Sequence, residues 1–186
     1  MTTEVIGPDE FERLYTDVAP ELFAYVRRRS TADAEDVVAE VFTIAWRRRA
    51  ALPEPELRRA WLYGTARNLL LADGRYRTQV AGALRDLDHV TEPSDSAPVA
   101  KANAVVQTAL NRLSPRDREI ILLTEWERLT PTEAAVALGI KPGTARVRLH
   151  RARQALAADP AVAALIDEPA GGGPAEVVVD RESVLR

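Results

Sequence analysis

The chain has 186 residues, of which 46% are hydrophobic and 28% charged, the balance of a soluble globular protein with one ordinary domain or two small ones. It has no cysteine and only two histidines, which excludes a disulfide scaffold, a thiolate zinc site, a cysteine nucleophile and a histidine-rich metal site. No apolar run approaches the ~20 residues that span a bilayer, and the first residues lack the basic and apolar regions of a signal peptide. We therefore expect a cytoplasmic protein.

Basic residues are unevenly distributed along the chain, although the net charge is only −3. Residues 27–77 hold eleven arginines against seven acidic residues, and residues 130–156 hold five basic residues against one acidic residue. Of the 25 basic residues, 23 are arginine, whose guanidinium suits paired hydrogen bonds to phosphate and guanine. The two basic blocks favour contact with nucleic acid, although a GC-rich genome would produce the same arginine bias.

Two of the three helices predicted in the N-terminal half are indicated by the spacing of their apolar residues and by a helix-breaking proline or glycine. Apolar residues recur at helical spacing over residues 11–29, where Pro20 is expected to kink or restart the helix. Another helix is expected over residues 56–73, ended by Gly74.

Between them, residues 33–49 give the clearest helical pattern. Asp33 is the expected N-cap, acidic residues follow in the first turn and arginines stand in the last, which suits the helix dipole. An apolar stripe is formed by Ala34, Val37, Val38, Val41, Phe42 and Ala45. The opposite face carries a polar stripe of Asp36, Glu40, Thr43 and Arg47.

Residues 78–100 lose this periodicity and contain prolines, serines and scattered acids, which predicts a linker. A helix is expected at 102–113, and Ser114 followed by Pro115 predicts the start of another. Beyond residue 158 we expect a short helix at 160–166 and then a mobile tail. Apart from a short run of three valines nothing indicates a strand, so the predicted class is all-α.

The strongest local signal is a predicted helix–turn–helix. A short helix at 132–138 is followed by Gly139 at the turn and by a second helix from Pro142. Ala135 is small where the second helix should cross, and the space between the helices is filled by Leu138, Ile140 and Leu149. The second helix should expose Lys141, Thr144, Arg146, Arg148, Arg151 and Arg153 to a DNA major groove. The alternative is a solvated basic face on an ordinary helical hairpin.

Two weaker signals lie in the N-terminal half. The helix at 56–73 and the residues after it interleave aromatic and basic side chains, as a single-stranded nucleic acid site does: Trp61, Tyr63 and Tyr76 with Arg58, Arg59, Arg67, Arg75 and Arg77. Trp61 could equally be a core residue, and Trp46 is expected in the core. The polar stripe of the second helix would suit a partner helix bearing arginine or lysine, although most such stripes are simply solvated.

Three segments, AEDVVAEVFTIAWRR, WLYGTARNLLLADGRYR and the stretch from LSPRDRE to RLHRAR, resemble the extracytoplasmic-function (group IV) sigma factors of bacterial RNA polymerase, members of the sigma-70 family. The resemblance covers about residues 9–157. It implies an all-α fold of two small helical domains joined by a flexible linker. Residues 1–77 would form sigma region 2, 78–101 the linker and 102–158 the region 4 helix–turn–helix, and 159–186 would be an extension of unknown role.

The resemblance also implies roles for individual residues. Asp36, Glu40, Thr43 and Arg47 would bind core polymerase at the β′ coiled coil, with the β flap as a second polymerase contact. The −10 element would be read by the loop at 49–55 and by Arg49, Trp61, Arg67, Asn68, Arg75 and Arg77. The −35 element would be read by Lys141, Thr144, Arg146, Arg148, Arg151 and Arg153. Promoter DNA and core polymerase are thus the implied partners, and an anti-sigma factor is a further candidate partner. No cofactor, metal, catalytic residue or membrane insertion is implied.

Two other functions compete with this interpretation. One is an autonomous helix–turn–helix repressor or activator, with residues 1–77 as a dimerisation or sensing module. It would need neither the ARN sequence at 66–68 nor the acidic stripe, and a stand-alone DNA binder is usually basic, whereas this chain is acidic overall. The other is a small helical enzyme, for which the sequence offers no nucleophile–base pair, metal cluster or phosphate loop beside a strand.

Overall fold

The computed structural model describes residues 5–30, 33–72 and 97–167, and within these ranges it contains eight α-helices and no strand. The predicted all-α class is therefore confirmed. The helices are α1 (Pro8–Arg29), α2 (Ala34–Arg47), α3 (Pro55–Ala72), α4 (Ala97–Arg112), α5 (Pro115–Ile121), α6 (Pro131–Leu138), α7 (Pro142–Ala157) and α8 (Pro160–Asp167). A single 3₁₀ turn follows α2 at Arg49–Ala51, and a π-helical segment continues α5 at Leu122–Trp126.

Helices α1, α2 and α3 form the N-terminal domain, in which α1 and α2 each bury one face and α3 is buried on more than one side. Asp33 caps α2 as expected, because its carboxylate accepts hydrogen bonds from the amides of Glu35 at 2.9 Å and Asp36 at 3.5 Å. All six residues of the predicted apolar stripe of α2 are buried. Helix α1 continues through Pro20 and does not restart there. The buried side chains of Val18 and Leu22, on either side of the proline, hold the helix against the core.

The C-terminal domain consists of helices α4 to α8. Capping side chains and one glycine set several of its helix ends. Helix α4 begins at Ala97, five residues before the predicted start, so the predicted linker extends too far. Ser114 accepts a hydrogen bond from an amide of the first turn of α5, as predicted. Thr130 and Glu133 form a reciprocal capping box at the start of α6. Gly139 has φ 62°, a left-handed conformation that favours glycine and turns the chain into α7.

The two domains pack against each other through α3 and α6. Gly64 on α3 makes this possible: a Cβ atom placed there would lie 3.0 Å from the carbonyl oxygen of Ala137 on α6. Residues of both domains belong to one continuous cluster of buried side chains. Within the described residues, the two domains therefore share one hydrophobic core.

Several predictions fall on residues that the structure does not describe. These are the helix end at Gly74, the candidate DNA-binding residues Arg75, Tyr76 and Arg77, most of the predicted linker and the tail beyond α8.

Candidate nucleic-acid and polymerase interfaces

The polar stripe of α2 is a continuous exposed surface. Asp36, Glu40, Thr43 and Arg47 are all exposed, on the side opposite the buried stripe. Trp46 lies beside this surface with 39% of its area exposed, so its expected place in the core is wrong. Its ring packs edge-on against Phe11 at 5.0 Å between centroids.

The loop that follows α2 holds one arginine outward. The guanidinium of Arg49 lies 4.8 Å from the centre of the Trp46 ring, a cation–π contact, and also donates a hydrogen bond to the Trp46 carbonyl at 3.3 Å. Leu52 is buried, and Arg58 donates from Nε to the carbonyl of Pro53 at 3.2 Å. The loop is thus anchored at both sides, with Arg49 exposed.

Helix α3 does not form the aromatic platform that its sequence suggests. Tyr63 is 1% exposed, and its burial raises the pKa of its phenol. Arg58 is buried and ion-paired with Glu10. Arg59 pairs with Glu21 at 2.7 Å, and although burial works against its charge, that hydrogen bond helps to raise its pKa. Tyr63, Arg58 and Arg59 therefore do not lie on an open nucleic-acid surface. Tyr76, Arg75 and Arg77 of the same predicted set lie outside the described residues.

Three residues of α3 that are expected to read the −10 element have different surroundings. Asn68 is exposed, and Trp61 is partly buried against the core. Arg67, in contrast, faces the C-terminal domain. Its guanidinium donates to both carboxylate oxygens of Glu119, at 2.6 Å and 3.2 Å.

Sequence reasoning missed a second charged contact between the domains. Arg28 and Arg29, at the end of α1, donate to the two carboxylate oxygens of Glu127 at 2.7 Å and 2.8 Å. Arg59 donates to the backbone carbonyl of the same residue at 2.7 Å. The Glu127 side chain is 3% exposed. These partners lie 68 to 99 residues apart in sequence, so helical spacing carries no signal for them; the one local hint is Gly64 in the middle of a helix, which indicates a close approach.

Helix α7 presents part of the predicted basic set to solvent. Lys141, Thr144, Arg146 and Arg151 are exposed, whereas Arg148 and Arg153 are partly buried. Residues two apart on a helix lie about 200° apart around its axis, so Arg146 and Arg148 cannot share one face. Arg153 pairs with Glu125 at 2.9 Å.

Two further residues of α7, not named from the sequence, belong to its outer face. Val147 is 52% exposed and His150 is exposed. Ala145, Leu149 and Ala152 are buried on the opposite side. The outer face of α7 therefore carries Val147 and His150, with Arg146 on one side and Arg151 on the other.

Two negative findings concern the described residues alone. None of their helices is long and apolar enough to cross a membrane. They also contain no group of three or more side chains suited to holding a metal ion.

Comparison with known families gives two matches, in the order of the two domains. A family model for Sigma-70 region 2 matches residues 14–79, and one for Sigma-70, region 4 matches residues 104–156.

Individual relatives match most of the length of this chain. The chain is 31% identical over 150 residues to the ECF RNA polymerase sigma factor SigL of Mycobacterium tuberculosis, covering 77% of this chain and 84% of that one. It is 32% identical over 155 residues to the RNA polymerase sigma factor CarQ of Myxococcus xanthus, covering 80% and 87%.

Two solved structures are similar in fold. The sigma factor RpoE of Bartonella quintana, in complex with the anti-sigma factor NepR, superposes with a TM-score of 0.53 at 25% identity, covering 80% of this chain and 95% of that one. CnrH in complex with the cytosolic domain of CnrY superposes with a TM-score of 0.53 at 26% identity, covering 87% and 90%.

Proposed function

Because the chain belongs to the extracytoplasmic-function sigma factors of the sigma-70 family, it directs promoter-specific transcription by RNA polymerase, and we propose how its residues divide that work. The observation that carries the proposal is the order of the two family matches. Region 2 falls on the domain that presents the exposed stripe of α2, and region 4 falls on the domain that presents α7.

The stripe of α2 is proposed to bind the β′ coiled coil of core polymerase. Asp36 and Glu40 are exposed carboxylates one turn apart, which suits a partner helix with arginine or lysine. Thr43 and Arg47 extend the same row, and the exposed edge of Trp46 adds an aromatic group of the kind that anchors interfaces.

The N-terminal domain is proposed to read the −10 element. Arg49 lies outward on an anchored loop, and Asn68 is exposed on α3. Trp61 and Arg67 are the further candidates among the described residues, and Arg75 and Arg77 remain predictions from the sequence. A short loop with an outward basic group is suited to holding an unstacked base and its phosphate.

The C-terminal domain is proposed to read the −35 element with α7. The exposed arc of Thr144, Arg146, His150 and Arg151 would enter the major groove, where hydroxyl, imidazole and guanidinium groups meet base edges. Lys141 lies at the N-cap of the helix, and we propose that it contacts a phosphate of the DNA backbone. Arg148 and Arg153, partly buried at the sides of the helix, are assigned to the DNA backbone, as is typical of groups that flank a groove.

The proposal extends to the subclass, the domain limits, the location and the further partners of the chain. We assign the chain to the group IV subclass, with residues 1–77 as one working domain and the helices from Ala97 to residue 158 as the other. We also assign it a cytoplasmic location beside polymerase and no catalytic activity of its own. The β flap would receive the C-terminal domain. RpoE was solved in complex with the anti-sigma factor NepR, so we also propose an anti-sigma partner for this chain.

The experiment that tests the polymerase contact is charge reversal on α2. Asp36→Lys with Glu40→Lys should weaken binding to core polymerase at least about tenfold, because like charges across an interface cost several kcal/mol. The matched control is Glu12→Lys with Asp17→Lys, two exposed acidic positions on α1 with the same change of charge. Equal affinity of both variants for core polymerase in a pull-down titration contradicts the assignment.

A further inference from the structure

Helix α7 exposes one large apolar side chain in the middle of its basic surface. Val147 is 52% exposed, whereas Leu149 is buried and Leu156 packs against the core. Valine is β-branched and is not favoured in helices, so neither packing nor helix propensity accounts for it here. A single exposed valine is ordinary on a protein surface, and the position of this one on α7 is what gives it a meaning.

Val147 lies at the centre of the exposed face of α7. Residues three or four positions apart are neighbours on the surface of a helix, and the neighbours of Val147 at these spacings include Thr144, His150 and Arg151, all of them exposed. Leu149, which is buried, lies about 200° from Val147 around the axis. Val147 therefore faces away from the core, in the middle of the arc that is proposed to enter the major groove.

The fit of a helix in the major groove gives the central position a particular role. A helix with its side chains is about 10–12 Å across, and the groove is about 12 Å wide. Residues at the sides of the inserted face therefore meet the sugar–phosphate backbone, and residues at its centre meet the base edges. The side chain of Val147 has no hydrogen-bonding atom, so it cannot bind a phosphate, and its position directs it to the floor of the groove.

The floor of the major groove offers an apolar side chain one suitable group. The base edges present hydrogen-bond donors and acceptors there, and thymine adds a C5-methyl group. An apolar side chain against that methyl group buries the surface of both partners. Against an amino or carbonyl group, the same side chain would displace water without replacing its hydrogen bond. A valine at this position thus favours thymine and disfavours the other bases.

We propose that Val147 is a specificity-determining residue, which selects one thymine of the −35 element by contact with its C5-methyl group. The inference rests on the proposed function, because it needs α7 to enter the major groove of that element. It adds a base that is recognised without a hydrogen bond, beside the bases assigned to hydroxyl, imidazole and guanidinium groups.

The first test removes the methyl group from the DNA. Holoenzyme reconstituted from core polymerase and the full chain selects a promoter from a library with randomised −35 positions. Each thymine of the selected −35 element, on both strands, is then replaced one at a time by uracil, which differs only in lacking the C5-methyl group. We measure the affinity of the holoenzyme for each duplex by competition. One of these replacements should weaken binding about fourfold, the factor that burial of one methyl-sized group gives.

The second test removes the apolar contact from the protein. Val147→Ala deletes both γ-methyl groups and keeps the helix, because alanine is the best helix former. The same uracil should now change the affinity by less than about twofold, since the two changes remove the two sides of one contact. Val5→Ala is the matched control, because it makes the same substitution at a valine that is 53% exposed and lies outside α7. It should retain the full effect of the uracil.

The third test adds the methyl group to a different base. Cytosine paired with guanine is placed at the thymine position and compared with 5-methylcytosine, whose methyl group lies at the same place in the groove. The methylated duplex should bind wild-type holoenzyme about fourfold more tightly than the unmethylated one. Holoenzyme with Val147→Ala should bind both equally. A gain that persists in Val147→Ala would assign the methyl contact to another residue and would contradict the proposal.

The outcomes distinguish this inference from the proposed function. If the holoenzyme selects no −35 element, the proposed function is wrong and the inference fails with it. If the selected element lacks thymine, or if no uracil replacement in it is coupled to Val147→Ala, the inference alone is refuted. Weaker binding of Val147→Ala than of Val5→Ala to core polymerase, with an unchanged −35 preference, would show that Val147 contacts protein and would also refute it.

Discussion

Two arginines of α7 carry the same charge in the same helix and should nevertheless affect transcription differently. Arg146 is exposed and Arg148 is partly buried, and the two side chains diverge by about 200° around the axis. We expect Arg146→Ala to remove a base contact that contributes ~1–3 kcal/mol of discrimination, which is about 5- to 150-fold in preference at the affected base pair. Arg148→Ala removes a backbone contact and should lower binding to all sequences alike.

The assay is transcription by the reconstituted holoenzyme on a promoter library in which the −35 positions are randomised. Each substitution removes one positive charge and introduces alanine, the best helix former, so loss of general electrostatic attraction is matched between the two variants. A flattened preference at one or two positions for Arg146→Ala, with an unchanged preference and lower output for Arg148→Ala, is the expected result. Equal flattening by both substitutions would refute the assignment of faces on α7.

Three other perturbations test separate parts of the account. Asn68→Ala should impair promoter opening, seen as reduced permanganate reactivity of the melted region, without changing the preference at −35; normal opening contradicts the role of Asn68. Thr130→Ala should lower the free energy of unfolding by ~1 kcal/mol, measured in urea, because the capping box of α6 is lost. The hydrogen bond from Arg112 lowers the pKa of the Asp159 carboxyl, so its contribution to stability is present above the usual carboxyl pKa and is lost as pH falls through the lower folded value. The stability difference between wild type and Asp159→Asn should therefore shrink below about pH 4, and a constant difference would contradict the ion pair.

The parts of the fold that could be predicted from the sequence are those whose causes lie within one helix. Asp33 caps α2 through the amides two and three residues ahead, and the buried face follows from spacing alone. The turn at Gly139 is equally local, because a left-handed residue ends α6. The N-terminal helices and the helix–turn–helix could therefore be predicted before any long-range contact was known.

The candidate site was predicted less completely because its surroundings depend on contacts between distant segments. The aromatic and basic pattern of α3 predicted an open surface, but α1 and α6 cover it, and Tyr63 is buried. Trp46 follows Phe42 by one helical turn, which predicts burial, yet it lies at the edge of the packed face and stays exposed. Glu127 is far from Arg28 and Arg29 in sequence and has no helical spacing to them. Its ion pairs with them are therefore seen only once the domains are packed.

The central claim is that this chain gives core polymerase its promoter specificity, and run-off transcription on a random promoter library tests it most directly. Core polymerase is assayed with and without the full chain, and the transcribed templates are sequenced. We expect the chain to enrich templates that share two separated elements upstream of the start, and we expect the chain alone to bind those duplexes weakly at physiological salt. Transcripts that do not depend on the chain, or nanomolar sequence-specific binding without polymerase, would contradict it.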